Sequence, residues 1–241
     1  MSPQRNGDAA REVAGWRDQT RVFLQPIALP VILGLFGFAS ATFMVAAQLA
    51  GWYGTPKSGE FLFPFAATFG GLAQVMAAMW SYRARDALAT AMFGMFGAFW
   101  MAYGILNLLA ATGALTLPTG EFKELAFWFF TIAAITASGA VAAVARSVAA
   151  TAILAAMAVG EALLGVGEFV GRTGWIHAGG WVLIAAAILA FYTATAELLA
   201  ASLGRTILPL GMYSREANLP GGTFTVPLQF ERGEPGVRHG Q

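Results

Sequence analysis

The sequence predicts an all-α integral membrane protein with six transmembrane helices, both termini cytoplasmic, and three helical pairs whose odd members share a common axis. Three observations carry this. Hydrophobic residues make up 57% of the 241-residue chain and charged residues only 11%, whereas a soluble domain is roughly 25% charged. Six stretches are each apolar over about the 20 residues needed to cross a hydrocarbon core. Lysine and arginine collect on one side of those stretches.

The spans fall near 27–49, 61–80, 87–111, 125–145, 148–170 and 178–201. Only Arg146 and Ser147 separate the fourth from the fifth. A single helix through both would be too long to span, so a tight turn is expected there. Alternating sides across six spans puts eleven basic residues on one face, with Arg83, Arg85, Arg146 and Arg205 among them, and leaves Lys57, Lys123 and Arg172 on the other. The positive-inside tendency then places both termini and the loops at 81–86 and 146–147 in the cytoplasm. A missed or extra span would scramble that asymmetry. The membrane is therefore the plasma membrane, or the inner membrane if the cell is bacterial.

The three regions expected are an N-terminal cytoplasmic or interfacial segment at 1–26, a six-helix transmembrane domain at 27–211 and a loosely ordered cytoplasmic tail at 212–241. Arg5, Asp8, Arg11, Glu12, Arg17 and Asp18 precede any apolar core, so the N-terminus does not read as a cleaved signal. Val13, Trp16 and Phe23 among those arginines fit either a short interfacial helix or a polar lead-in. The tail is rich in Gly, Pro and charge and has nothing to bury a core.

Composition also excludes chemistry. With no cysteine there is no disulfide, thiolate nucleophile or thiolate-bound metal, and His177 and His239 are the only histidines. Neither HExxH nor GxSxG occurs, and both lysines fall in loops, so a retinal-type Schiff base has no place in a helix. A net charge of +1 implies no nucleic-acid partner. No cofactor, metal or enzymatic activity is expected. Membrane lipid is an expected partner.

Spans one and three contain similar patterns, "GLFGFAS" at Gly34–Ser40 and "GMFGAFW" at Gly94–Trp100, and span five has the looser "GVGEFVG". Each sets small residues beside an aromatic. Small residues let helix backbones approach in lipid, where no hydrophobic force drives helices together. Packing explains any one glycine, and recurrence on odd spans is what suggests a shared axis.

Carboxylates inside a membrane are expensive and mark function by default. Three lie in spans. Glu197, near the end of span six, fits a snorkelling residue or a partner for a cytoplasmic arginine such as Arg205. Glu168 stands four residues before Arg172, so a local ion pair competes with pore lining. Glu161 is near the middle of span five with no cation within two turns on its helix. It is either a hydrogen-bonded packing residue or part of a solute pathway.

At "LGLFGFASATF" in span one, "GGLAQVMA" with Gln74, "MFGAFW", "HAGGW" and "AELLAASLGRTILPLG" with Glu197, the chain resembles the acetate uptake transporter family of the SatP/YaaH type. The match runs in order from about residue 28 to 211. The resemblance implies a hexamer of six-helix protomers, each with a path for acetate and related small mono- and dicarboxylates, often with proton coupling. It also implies a hydrophobic constriction of Phe38, which follows Gly34 and Gly37 in the Gly-x-x-Gly-Phe motif, together with Phe96 and Met157. These fall on the three odd spans. The family's opening Asn-Pro-Ala-Pro-Leu-Gly reads Leu29-Pro30-Val31-Ile32-Leu33-Gly34 here, which loses the Asn and the second Pro. Phe96 stands in place of Tyr, Glu168 in place of Asn, and Glu161 in place of an apolar residue.

Met157 and Glu161 are one helical turn apart and Glu168 two turns further, so all three share roughly one face. A charged carboxylate about 4 Å from a passing anion would oppose it by up to ~4 kcal/mol at an effective dielectric of 20. Two resolutions are open. Burial favours the neutral acid, so Glu161 can act as proton carrier for a carboxylate substrate, with Glu168 as an outer gate. Alternatively the chain passes a cation or a neutral solute. A non-transporting scaffold or sensor would give no flux.

Overall fold

The computed structural model describes residues 28–55 and 57–212. The expected segment at 1–26, with its interfacial-helix alternative, and the tail beyond Met212 lie outside the described residues. Six helices are long and apolar enough to cross a membrane: α1 Pro30–Leu49, α2 Ser58–Arg83, α3 Ala87–Ala111, α4 Lys123–Ala143, α5 Val148–Val170 and α6 Thr173–Leu203. No strand interrupts them among the described residues.

Local chemistry sets the ends. Pro30 occupies the first turn of α1, where its missing N–H costs nothing. Asp86 caps α3 by accepting from the Ala89 N–H at 2.9 Å, and Ser147 caps α5 by accepting from the Ala150 N–H at 3.1 Å. The expected tight turn between the fourth and fifth spans is therefore built around a serine cap. α5 ends at Gly171 in the left-handed region (φ 62°), and α6 restarts immediately after Arg172. That restart makes α6 longer than the apolar run at 178–201, because the helix begins at Thr173, among residues that hydropathy assigns to a loop.

α2 is also longer than expected and is not uniform. Ala66–Leu72 is a π-helical segment between Ser58–Phe65 and Ala73–Arg83. Pro64, just before it, has no N–H to give. The Thr68 hydroxyl donates to the Pro64 carbonyl at 2.8 Å, and the fully buried Gln74 amide donates to the Gly70 carbonyl at 2.8 Å. Gln74 thus supports an irregular backbone.

The helices close into a bundle in which α1 packs on α2 and α6, α2 on α3, α4 on α5, and α5 on α6. Of the consecutive helices, α3 and α4 touch least. Glycines allow the closest approaches. A Cβ on Gly37 would lie 2.5 Å from the Phe69 carbonyl oxygen of α2, one on Gly97 would lie 2.9 Å from the Val75 nitrogen, and one on Gly179 would lie 2.9 Å from the Gly160 carbonyl oxygen. Gly34 admits the Phe93 ring.

At the end of the bundle where the α2–α3 and α4–α5 turns meet, Arg146 forms an ion pair with Asp86, the capping residue of α3. Glu197 of α6 is half-buried with Arg146 and Asp86 as its charged neighbours, so the arginine beside this face of the helix is Arg146, which the sequence puts on the same side of the membrane as Arg205. Arg205 follows the left-handed Gly204 that ends α6, which turns the chain away from that face. The segment beyond returns to α5, whose first N–H groups at Val148 and Ala149 donate to the Gly211 and Leu210 carbonyls at 3.0 and 3.2 Å.

Because Gly37 meets backbone, not a movable side chain, Gly37→Val should destabilise the bundle by about 1–3 kcal/mol. Thermal unfolding in detergent checks this, and Leu33→Val, at an exposed α1 position, should leave the midpoint unchanged.

Candidate functional site

A cavity of about 630 Å³ opens where α3 and α4 diverge. α1, α3, α4 and α5 build its walls, and α6 adds Leu183. Its mouth is formed by Leu117, Pro118 and Phe122 of the α3–α4 connection, with Glu124 on α4 and Glu168 at the last turn of α5. The Phe122 N–H donates to the Glu168 carbonyl at 2.9 Å, which fixes the connection against α5.

The cavity ends at a layer of apolar side chains. No lining residue precedes Phe38 on α1, Phe96 on α3 or Met157 on α5. Because these three helices run in the same direction, those residues form the floor. All three are buried, and the Phe38 and Phe96 rings lie 5.9 Å apart at a tilted angle. The structure therefore brings together the residues the sequence grouped on the odd spans: Phe38, Phe96, Met157, Glu161 and Glu168 all face one cavity.

Glu161 lies one turn above the floor, buried, and its Oε2 has no hydrogen-bond partner among the described residues. Thr136 of α4 stands beside it. The Thr136 hydroxyl proton is already committed to the Ile132 carbonyl at 2.8 Å. Glu168 forms no ion pair with Arg172, since Gly171 turns the chain between them and Arg172 begins the next helix. Pro30, Gly34, Gly37, Gln74 and Glu197 do not line the cavity, and their places are in helix packing and helix ends.

Sequence reasoning missed other lining residues. Thr42 and Trp100 are buried polar groups in the wall, and the Asn107 amide donates to the Tyr103 carbonyl at 2.9 Å near the mouth. The available signal was spacing: Thr42 follows Phe38 by four residues, as Trp100 follows Phe96. Among the lining residues there are three carboxyl groups and no Lys, Arg or His.

The GPR1/FUN34/yaaH family pattern matches residues 18–211, most of the chain. The chain belongs to this family. Its relatives include the succinate-acetate/proton symporter SatP of Escherichia coli K12, 27% identical over 188 residues that cover 77% of this chain and 96% of SatP. The ammonia transport outward protein 2 of Saccharomyces cerevisiae is 28% identical over 176 residues, covering 71% of this chain and 61% of that protein. The solved structure of the bacterial acetate channel SatP superposes with a TM-score of 0.71 at 24% identity, covering 77% of this chain and all of that one. The fold is thus that of a known channel, and this family member is a multi-pass membrane protein.

Since the chain has no cysteine, single cysteines report access cleanly. Glu168→Cys at the mouth should react quickly with a water-soluble thiol reagent from the side of the α3–α4 connection. Leu35→Cys, buried below the floor, should resist it from that side, and equal labelling at both would contradict a closed floor.

Proposed function

We propose that this protein carries acetate and related small mono- and dicarboxylates across the membrane together with a proton, through the cavity and past its apolar floor. The observation that carries the reading is Glu161, a buried carboxyl with an unpartnered oxygen one turn above Phe38, Phe96 and Met157. The named function of SatP, which this chain matches over nearly its whole length, supports the same class. Cavity and floor describe an activity of passage, not catalysis.

An isolated carboxylate moved into an apolar medium costs tens of kcal/mol in the idealised limit, and a neutral acid only a few. A floor of two phenyl rings and a thioether therefore favours the protonated substrate. Glu161 is placed to supply the proton: it is enclosed one turn above the floor, its Oε2 is unpartnered, and no basic side chain lines the cavity around it. In the step we propose, that proton passes to the substrate carboxylate, the neutral acid crosses the floor, and the Glu161 carboxylate is reprotonated from the aqueous mouth. The other titratable groups facing the cavity are Glu168, Glu124 and Tyr103. Glu168 acts as the outer gate. The positive-inside rule turns the Asp86–Arg146 end to the cytoplasm, so the mouth faces outward.

A second reading has its own observation. Three carboxyls with no basic side chain in the lining suit a cation or a neutral amine, and a relative named for ammonia transport lies in the same family.

Uptake of labelled acetate into proteoliposomes separates the readings. Protonated Glu161 becomes more abundant as pH falls, so wild-type uptake should rise in mildly acidic buffer relative to mildly alkaline buffer. Glu161→Gln, which cannot release a proton, should lose that dependence. Wild type that folds, passes ammonium and takes up no acetate would favour the second reading. No flux of either solute would point to a scaffold. The hexamer that the family resemblance implies predicts a mass near six chains in mild detergent, and a stable monomer would oppose it.

A further inference from the structure

Each floor residue has a polar residue four positions further along its own helix: Phe38 and Thr42 on α1, Phe96 and Trp100 on α3, Met157 and Glu161 on α5. Four residues advance a helix by about 6 Å and return to nearly the same face. The three helices run the same way, so the offset has the same sense in each. A polar layer of three side chains therefore sits one turn above the apolar layer of three, on the mouth side.

All three polar residues are at least nine-tenths buried, with Thr42 at 4% exposure and Trp100 and Glu161 at 5%. In all three a polar atom lacks a partner among the described residues: Thr42 Oγ1, Trp100 Nε1 and Glu161 Oε2. Buried side-chain polar atoms are mostly satisfied, because a group taken from water and left unpaired loses its hydration with nothing in return. Three converging on one cavity, from three helices, is not a packing accident of one residue.

Thr42 is the most telling. The seven threonines in other helix interiors, Thr68 and Thr136 among them, each donate to the carbonyl four residues earlier. Thr42, which lines the cavity, makes no such bond, so its hydroxyl is left without a partner among the described residues. Trp100 is held by its neighbours: Gly70 of α2 leaves room for the indole, and Phe99 and Tyr103 pack edge-on at 5.2 and 5.6 Å. An indole N–H can only donate.

We infer that Thr42, Trp100 and Glu161 form a binding site for one carboxyl group of the substrate, where the Trp100 N–H and the Thr42 O–H replace its water before it crosses the floor. Two donors and an acid fit the acceptor-rich end of a short carboxylate. They do not fit ammonium, which brings only donors and would leave the Trp100 N–H unmatched. The inference rests on the carboxylate reading of the cavity and adds the residues that recognise the substrate.

Saturation curves for labelled acetate in proteoliposomes test it, with Trp100→Phe and Thr42→Val beside wild type and Thr42→Ser as the variant that keeps the hydroxyl. A hydrogen bond to a charged group is worth about 1.5–3 kcal/mol, so each deletion should raise the half-saturating concentration about tenfold to a hundredfold. Thr42→Ser should stay near wild type. A fall in maximal rate alone, with half-saturation unchanged in both deletions, would mean that the layer holds water or serves packing, and the site would be lost while the carboxylate reading stood. Absence of acetate uptake in wild type would remove both. A binding readout independent of flux guards against a misfolded Thr42→Val: in the cysteine-free background, acetate should slow thiol modification of Thr42→Cys where the same concentration of chloride does not. Equal rates in the two salts would overturn the site.

Discussion

The arrangement depends on backbone-to-backbone contact through glycine. Helices in lipid gain nothing from hydrophobic exclusion of one another, so close packing must hold them. Gly37 and Gly97 turn toward α2, and Gly160 turns toward α6. The residue next to each glycine is rotated by about 100° on the helix and faces elsewhere. Those neighbours are Phe38, Phe96 and Glu161, and all three face the cavity. The close contact that fixes each odd helix against an even one thus also aims its functional side chain inward. A bulkier residue at Gly37 would do more than open a gap, because it would rotate or displace the helix that carries Phe38 and Thr42.

Much of this was legible in the sequence for a physical reason. Hydropathy reports spans directly, and six helices form close to the places expected, α3 and α5 over the residues expected. A helical face follows from spacing alone, so Met157, Glu161 and Glu168 could be placed together before any coordinates. Less visible was anything that depends on who is satisfied by whom. Thr42 looked like one more threonine in a helix, and only its missing bond to the preceding turn sets it apart. The π segment at Ala66–Leu72 leaves no mark in hydropathy, and the pairing of Arg146 with Asp86 joins turns 60 residues apart. Which arginine stands beside Glu197 depends on the same kind of long-range placement.

The carboxyl groups acquire different characters from depth alone. Glu124 is exposed at the mouth and Glu168 is half-buried there, while Glu161 is enclosed near the floor. Charge is tolerated where water reaches and penalised where it does not. From the mouth to the floor, the carboxyls thus run from exposed Glu124 through half-buried Glu168 to enclosed Glu161. The same chemical group is thereby given a wet setting at one end of the cavity and a packed one at the other.

The thin contact between α3 and α4 makes the bundle's stiffness uneven. Every other consecutive pair is closely packed, and glycine contacts add interlocks between α1 and α2, α2 and α3, and α5 and α6. Deformation concentrates where the fewest contacts must break. The packing therefore divides into two blades, α1–α2–α3 and α4–α5–α6, joined along the line where α1 meets α6 and only thinly in contact along the opposite edge. Phe38 and Phe96 ride on one blade and Met157 on the other. The apolar layer thus straddles the thinnest seam of the bundle, with its two rings on one side and its thioether on the other.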